Sequence, residues 1–234
     1  MYKAIYCLVL CCIFSKGYAS ENWQLVAENS PPYIGERLID NGWVTALANQ
    51  NINNDIEFTS WNRALELTKI NKKDAILGAF YTKSRTDLFY YSRPLANVYV
   101  GLFKLKDRQI NYDGSMDSLQ PYSICKGVGY AVSEVFSESN GLAVTSTRGL
   151  INSLYMLQKG RIDLVAGTKE VGEYWLKNTE KLNEPGAPQV EYISPDLEHH
   201  QLHVMFPKSD PDAKQKRDAL EQGFSTILYN GTAK

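Results

Sequence analysis

The sequence predicts an α/β protein of two lobes, with mixed, mainly parallel sheets flanked by helices and two hinge crossovers between the lobes. Three observations predict it. The same unit occurs twice: an amphipathic helical stretch, a basic residue, an aspartate, three apolar residues and a glycine, at 61–78 and again at 150–167. Short apolar runs follow helical stretches, the pattern of βαβ units and parallel pairing. Segments from both ends of the chain read as parts of one lobe around a central second lobe. The expected boundaries are 20–104 with 197–234 for the first lobe and 105–196 for the second.

In chain order, Leu25-Val26-Ala27 is a short strand that runs into Glu28-Asn29-Ser30-Pro31-Pro32-Tyr33, where two prolines forbid both helix and central strand. Residues 42–50 read as a helix and Ile56-Glu57-Phe58 as a second strand. From Trp61 to Lys69, Trp61, Ala64, Leu65 and Thr68 recur at helical spacing, and Ala75-Ile76-Leu77-Gly78 follows as a strand. A strand is expected over 98–103, then a polar, turn-rich stretch over 104–118 with a crossover near 104–106. Leu150, Ile151, Leu154 and Leu157 form a helical stripe closed by Gly160 and followed by Asp163-Leu164-Val165-Ala166-Gly167. Beyond a Pro-rich stretch, strands are expected at 190–193 and 202–206, with the return crossover near 194–197. Ser209-Asp210-Pro211 opens a last helix with Leu220, Phe224, Ile227 and Leu228 on its apolar face.

Composition narrows the function classes. The chain has 234 residues, 44% hydrophobic and 22% charged, with 16 glycines and 9 prolines in no period, which excludes disorder and collagen-like structure. With 25 basic and 26 acidic side chains, no electrostatic footprint for nucleic acid or an anionic membrane exists. Lys3, an apolar run over 4–14, and Gly17-Tyr18-Ala19 read as a cleaved export signal of residues 1–19. The run is too short to span a bilayer and no later stretch approaches the required ~20 residues. A lipid anchor is disfavoured because Leu10 precedes Cys11 and Cys11 precedes Cys12, where a small residue is wanted. Cleavage leaves only Cys125, hence no intramolecular disulfide, and Cys125 is expected as a small buried hydrophobe. A periplasmic, monomeric protein without stable membrane insertion is the expectation.

The Pro-Pro-aromatic loop, Trp61-x-Arg63-Ala64-Leu65, Asp74-Ala75-Ile76-Leu77-Gly78, Thr82-Lys83-Ser84-Arg85, Tyr91-Ser92-Arg93-Pro94-Leu95 and Gly160-Arg161-Ile162-Asp163 together resemble the family 3 periplasmic solute-binding proteins. These are type II, two-lobe receptors of ABC uptake systems for polar amino acids, and the resemblance spans nearly all of the chain after residue 19. It implies a small-molecule ligand, an amino acid or other small carboxylate, held in an interlobe cleft, with an ABC permease as partner, no cofactor and no catalysis.

Position by position, the resemblance places Arg85 on the ligand carboxylate, a role suited to a planar fork of donors. It places the backbone of the Lys126-Gly127-Val128-Gly129-Tyr130 turn at the same carboxylate, with Gly127 and Gly129 allowing close approach. Two positions depart from the pattern: Phe80 stands where amino-acid binders usually carry Ser or Thr, and Thr168 where they carry the Asp that meets the ligand ammonium. Glu28 is the candidate replacement carboxylate, since a buried unpaired ammonium is costly; otherwise the ligand lacks an amino group. Tyr33, Trp61, Phe80 and Tyr130 are candidate aromatic walls, while Gly78 and Thr168 follow predicted strands at their carboxyl ends, where α/β proteins bind ligands. Arg63 is either a second anion contact or a solvated helix charge.

The sequence leaves two competing classes open. His199, His200 and His203 lie together, yet neither strand nor helix spacing makes them three convergent metal ligands, so no metal is assigned. A receptor-fold enzyme such as a cyclohexadienyl dehydratase-like lyase would need a cleft acid or base. Glu28 is the one obvious candidate, and no nucleophile elbow, phosphate loop or metalloprotease motif is present. A stand-alone ligand sensor is the remaining alternative.

Overall fold

The computed structural model describes residues 22–49 and 52–229. The expected export signal, Gln50, and the side chains of Phe224, Ile227 and Leu228 lie outside the described residues. In chain order the elements are β1 (Trp23–Ala27), α1 (Trp43–Asn49), β2 (Asn54–Phe58), α2 (Trp61–Lys69), β3 (Ala75–Phe80), β4 (Phe89–Tyr91) and β5 (Ala96–Leu105). They continue as β6 (Ser123–Gly127), α3 (Glu134–Glu138), β7 (Ala143–Thr147), α4 (Leu150–Gln158), β8 (Leu164–Thr168), α5 (Lys169–Asn178), β9 (Val190–Pro207) and α6 (Ala213–Tyr229).

Two parallel three-strand sets, β2-β1-β3 and β7-β6-β8, flank a pair of long strands, giving the order β2-β1-β3-β9-β5-β8-β6-β7, with β4 also on β9. Pairing is parallel within each set and antiparallel along β3·β9, β4·β9, β5·β9 and β5·β8. The long strands carry the chain from one set to the other. The segments 190–193 and 202–206, expected as separate strands, are the two ends of the 18-residue β9. The register on β5 moves from Ile193↔Leu102 to Glu198↔Val100, which leaves 194–197 out of the ladder. Pro195, with no N–H to give, falls in that gap, where it costs no ladder bond.

Helix α2 buries Trp61, Ala64, Leu67 and Thr68 against Val26, Ile76, Phe89 and Met205. In the second lobe, Leu150, Leu154 and Leu157 of α4 are buried, and Ile124, Leu164 and Ala166 meet Val100, Leu102 and Phe136 beneath the sheet. Leu220 of α6 is fully buried. Both helices that precede an aspartate end alike. In α2, the N–H of Asn71 meets the Thr68 carbonyl (3.0 Å) and that of Lys72 the Leu67 carbonyl (2.9 Å). In α4, the N–H of Gly160 meets the Leu157 carbonyl (2.9 Å) and that of Arg161 the Met156 carbonyl (3.0 Å). Asn71 and Gly160 take left-handed backbone, φ 56° and 63°, the conformation that terminates a helix in this way.

Candidate functional site

Strand carboxyl ends from both sets converge on one cavity of about 340 Å³. Eight of the ten residues singled out from the sequence line it: Glu28, Tyr33, Trp61, Gly78, Phe80, Arg85, Tyr130 and Thr168. Glu28 and Tyr33 stand on the loop after β1, and Trp61 opens α2. Gly78 and Phe80 are on β3, Arg85 on the turn after it, Tyr130 beyond β6 and Thr168 at the end of β8. Gly78 has φ 83° at the point where the β3·β9 register shifts, a bulge conformation that favours glycine.

Glu28 is partly buried. Its carboxylate accepts hydrogen bonds from the Tyr130 hydroxyl and the Trp61 backbone N–H, yet burial outweighs both and pushes its pKa up to about 7. Among the described residues no cation forms an ion pair with it. The Tyr130 hydroxyl, itself pushed well above its ordinary value by burial and by Glu28, stays a donor at neutral pH.

Arg85 Nη1 donates to the Phe80 carbonyl at 3.3 Å and Nη2 to the Gly129 carbonyl at 3.1 Å. Its guanidinium carbon lies 4.8 Å from the Trp61 ring centroid, a cation–π contact. Burial lowers its pKa, but an arginine remains charged at neutral pH. No carboxylate among the described residues pairs with it. The cavity therefore holds a half-buried guanidinium whose charge is met by carbonyl dipoles and an aromatic face alone. A carboxylate ligand would supply the missing counter-charge with paired hydrogen bonds.

Gly127 and Gly129, whose turn the resemblance places at the carboxylate site, are not among the residues that line the cavity. Within that turn the N–H of Val128 donates to the Thr147 carbonyl (2.8 Å) and that of Tyr130 to the Gly127 carbonyl (3.1 Å), so these donors are already engaged. Gly127 is instead covered by the Tyr130 ring, 2.6 Å from where a Cβ would stand. Gly129, with φ 74°, packs beside Asn62 and Trp61 and offers its carbonyl to Arg85. Phe80, in place of the expected hydroxyl, stacks on His200 with centroids 4.5 Å apart and planes 7° from parallel. Tyr33 donates to Glu170 of α5 behind the cavity wall.

The sequence reading missed Arg148, Asn152, Val171 and Trp175, which also line the cavity. Arg148 follows β7, an exposed edge strand of Ala, Val, Thr and Ser with no inward-facing apolar pattern. Val171 and Trp175 belong to α5, which was not anticipated. The rule that ligands sit beyond strand carboxyl ends would have found Arg148 had β7 been recognised.

The backbone matches several solved structures along most of its length. A histidine kinase sensor domain described as similar to periplasmic binding proteins superposes with a TM-score of 0.78, at 13% identity over 91% of this chain and 92% of that one. Holo ArgBP from T. maritima gives 0.73, at 16% identity over 88% and 91%. The GluR0 ligand-binding core from Nostoc punctiforme in complex with (L)-glutamate gives 0.69, at 18% identity over 90% and 94%. The fold is that of the two-lobe periplasmic binding proteins. No protein-family model matches the sequence, and no curated protein matches it.

Within this two-lobe binding fold the remaining reactive side chains point elsewhere. His199 Nε2 lies 3.2 Å from Asp196, His200 Nε2 is 2.6 Å from the Val132 carbonyl, and His203 Nδ1 is 2.7 Å from the Ser92 carbonyl. The three imidazoles thus turn to three different partners. Cys125 is fully buried, its Sγ 3.3 Å from Ser153 Oγ, away from the cavity wall. Among the described residues no helix is long and apolar enough to cross a membrane.

Proposed function

We propose that the protein is an exported solute-binding protein that captures a small carboxylate-bearing ligand, an amino acid or related compound, between its lobes for ABC-type uptake. In this reading residues 1–19 direct export to the periplasm, 20–104 and 197–234 form one lobe, and 105–196 form the other. The single observation that carries it is Arg85, a cavity-lining guanidinium without a carboxylate partner among the described residues. Structures of the same fold support it: one is the substrate binding protein of an amino acid ABC transporter, another an arginine-binding protein in its holo form. Glu28 would meet a ligand ammonium, because Thr168 brings no charge. Its raised pKa marks a carboxylate that ionises more readily once a cation arrives. Capture without turnover is the output, with closure of the lobes on the ligand as the shape a permease recognises.

A second reading, ligand sensing without transport, is favoured by the histidine kinase sensor domain among the structural matches. Both readings share the binding step. A thermal-shift screen of ligand-stripped protein against amino acids, other carboxylates and small peptides, each beside its amide, tests it, because a ligand that binds only the native state raises its stability. Shifts confined to carboxylate-bearing compounds are expected; a carboxylate-independent response, or none, would contradict the proposal.

A further inference from the structure

Resting on the reading of this cavity as a carboxylate-binding site, the charges that line it say more about the ligand. Among the described residues, three that line the cavity carry ionisable charge: Glu28, Arg85 and Arg148. Glu28 is already engaged by the Tyr130 hydroxyl and the Trp61 N–H. Glu170 of α5 accepts from Tyr33 and is not among the cavity-lining residues. Arg148 makes no ion pair with any described residue. It enters from the turn between β7 and α4, whereas Arg85 enters from the turn after β3, so the two guanidiniums belong to different parallel sets. The cavity therefore has an excess of positive charge contributed from both lobes. A cationic ligand would add to that excess; a ligand with one carboxylate would leave one arginine unanswered.

We infer that the ligand carries two anionic groups, one held by Arg85 and the second by Arg148, as in a dicarboxylate or an acidic amino acid. The second anion gives the ligand a hold on each lobe, which couples its length to closure. In this cavity a cationic side chain reaching towards the β7–α4 turn would face Arg148.

The test is calorimetric titration of ligand-stripped wild type and Arg148→Gln with glutarate and L-glutamate, each against its one-carboxylate counterpart, pentanoate and L-norvaline, and with L-arginine. The expected result is a preference of tenfold or more for each diacid over its counterpart and over L-arginine. That ratio should fall about tenfold in Arg148→Gln, the usual size of a lost charge-assisted hydrogen bond, and recover in part in Arg148→Lys. Because Arg148 is exposed, unfolding curves of both variants should overlay that of the wild type. Monoacids or L-arginine binding as tightly as the diacids, or a ratio that survives Arg148→Gln, would overturn the second anion. If that monoacid or L-arginine binding still depended on Arg85, the carboxylate-receptor reading would stand alone. No binding of any of the five compounds would overturn both.

Discussion

The β2-β1-β3 set with α2 and the β7-β6-β8 set with α4 follow one plan in detail, and they part company at their strand ends. In both, a helix ends on a left-handed residue, Asn71 or Gly160, and an aspartate comes three residues later. Asp74 accepts from the Gln24 N–H at 2.7 Å while its own N–H meets the Gln24 carbonyl at 2.8 Å. Asp163 does the same with Ser123, at 2.7 and 3.0 Å. Each aspartate fastens the start of its parallel set. Each is also paired with a cation from outside the unit, Asp74 with Lys216 and Asp163 with Arg108. The repeated aspartates are thus scaffold, and the charged residues that line the cavity lie outside the repeated unit: Glu28 and Arg85 in one set, Arg148 in the other.

If that division is right, strand-end substitutions and repeat substitutions will behave differently. The largest stability effect belongs to Glu28. Folding raises it from 4.5 to about 7, so the native state holds its proton more tightly than the unfolded chain. The resulting stability is fully present below pH 4.5 and is lost as pH rises through 7, by about 3 kcal/mol. Thermal unfolding of the ligand-free protein between pH 4.5 and 8 should show this loss, and Glu28→Gln should remove it. The difference between the two proteins isolates Glu28, since His203, lowered by burial, works in the opposite sense below pH 6.5. Identical pH profiles would show that Glu28 is not buried as described.

Next come the glycines that close the repeat. Gly78→Ala would force a side chain into left-handed backbone and against Ile34, and about 2–3 kcal/mol should be lost. Gly167 has ordinary backbone, and a Cβ there meets only the flexible end of Leu150 at 2.5 Å, so Gly167→Ala should cost about half as much. Equal losses measured by denaturant unfolding would break the distinction. Smallest is Gly160→Ala: nothing lies within 4 Å of the added Cβ, leaving only the conformational cost of about 1 kcal/mol.

Much of the scaffold was legible because its signals are local. The stripes Trp61–Thr68 and Leu150–Leu157, the terminator Gly160 and the two Asp-apolar-Gly runs are short-range patterns that tertiary packing reinforced. The strands that escaped notice, β4, β6 and β7, are short, and β7 is exposed along most of its length, so hydrophobic alternation had nothing to report. The cavity was legible in its first-lobe half, where Glu28, Trp61 and Arg85 stand in recognisable motifs. In the second-lobe half, the two glycines of the Lys126–Tyr130 turn suggested open donors. In the structure the N–H of Tyr130 closes a local turn on the Gly127 carbonyl and that of Val128 is taken by the Thr147 carbonyl, a pairing with the end of β7 that sequence spacing does not reveal. Arg148 was hidden for the same reason, since its place depends on the partner of an exposed strand.

The most direct test of the central claim, that the cavity is a carboxylate site built around Arg85, is calorimetric titration of wild type and Arg85→Ala with the best compound from the thermal-shift screen. The account predicts a loss of affinity of a hundredfold or more in Arg85→Ala, in keeping with removal of a paired, charge-assisted contact, while the circular dichroism spectrum stays unchanged. Binding in Arg85→Ala within a few fold of wild type, with the fold intact, would contradict it.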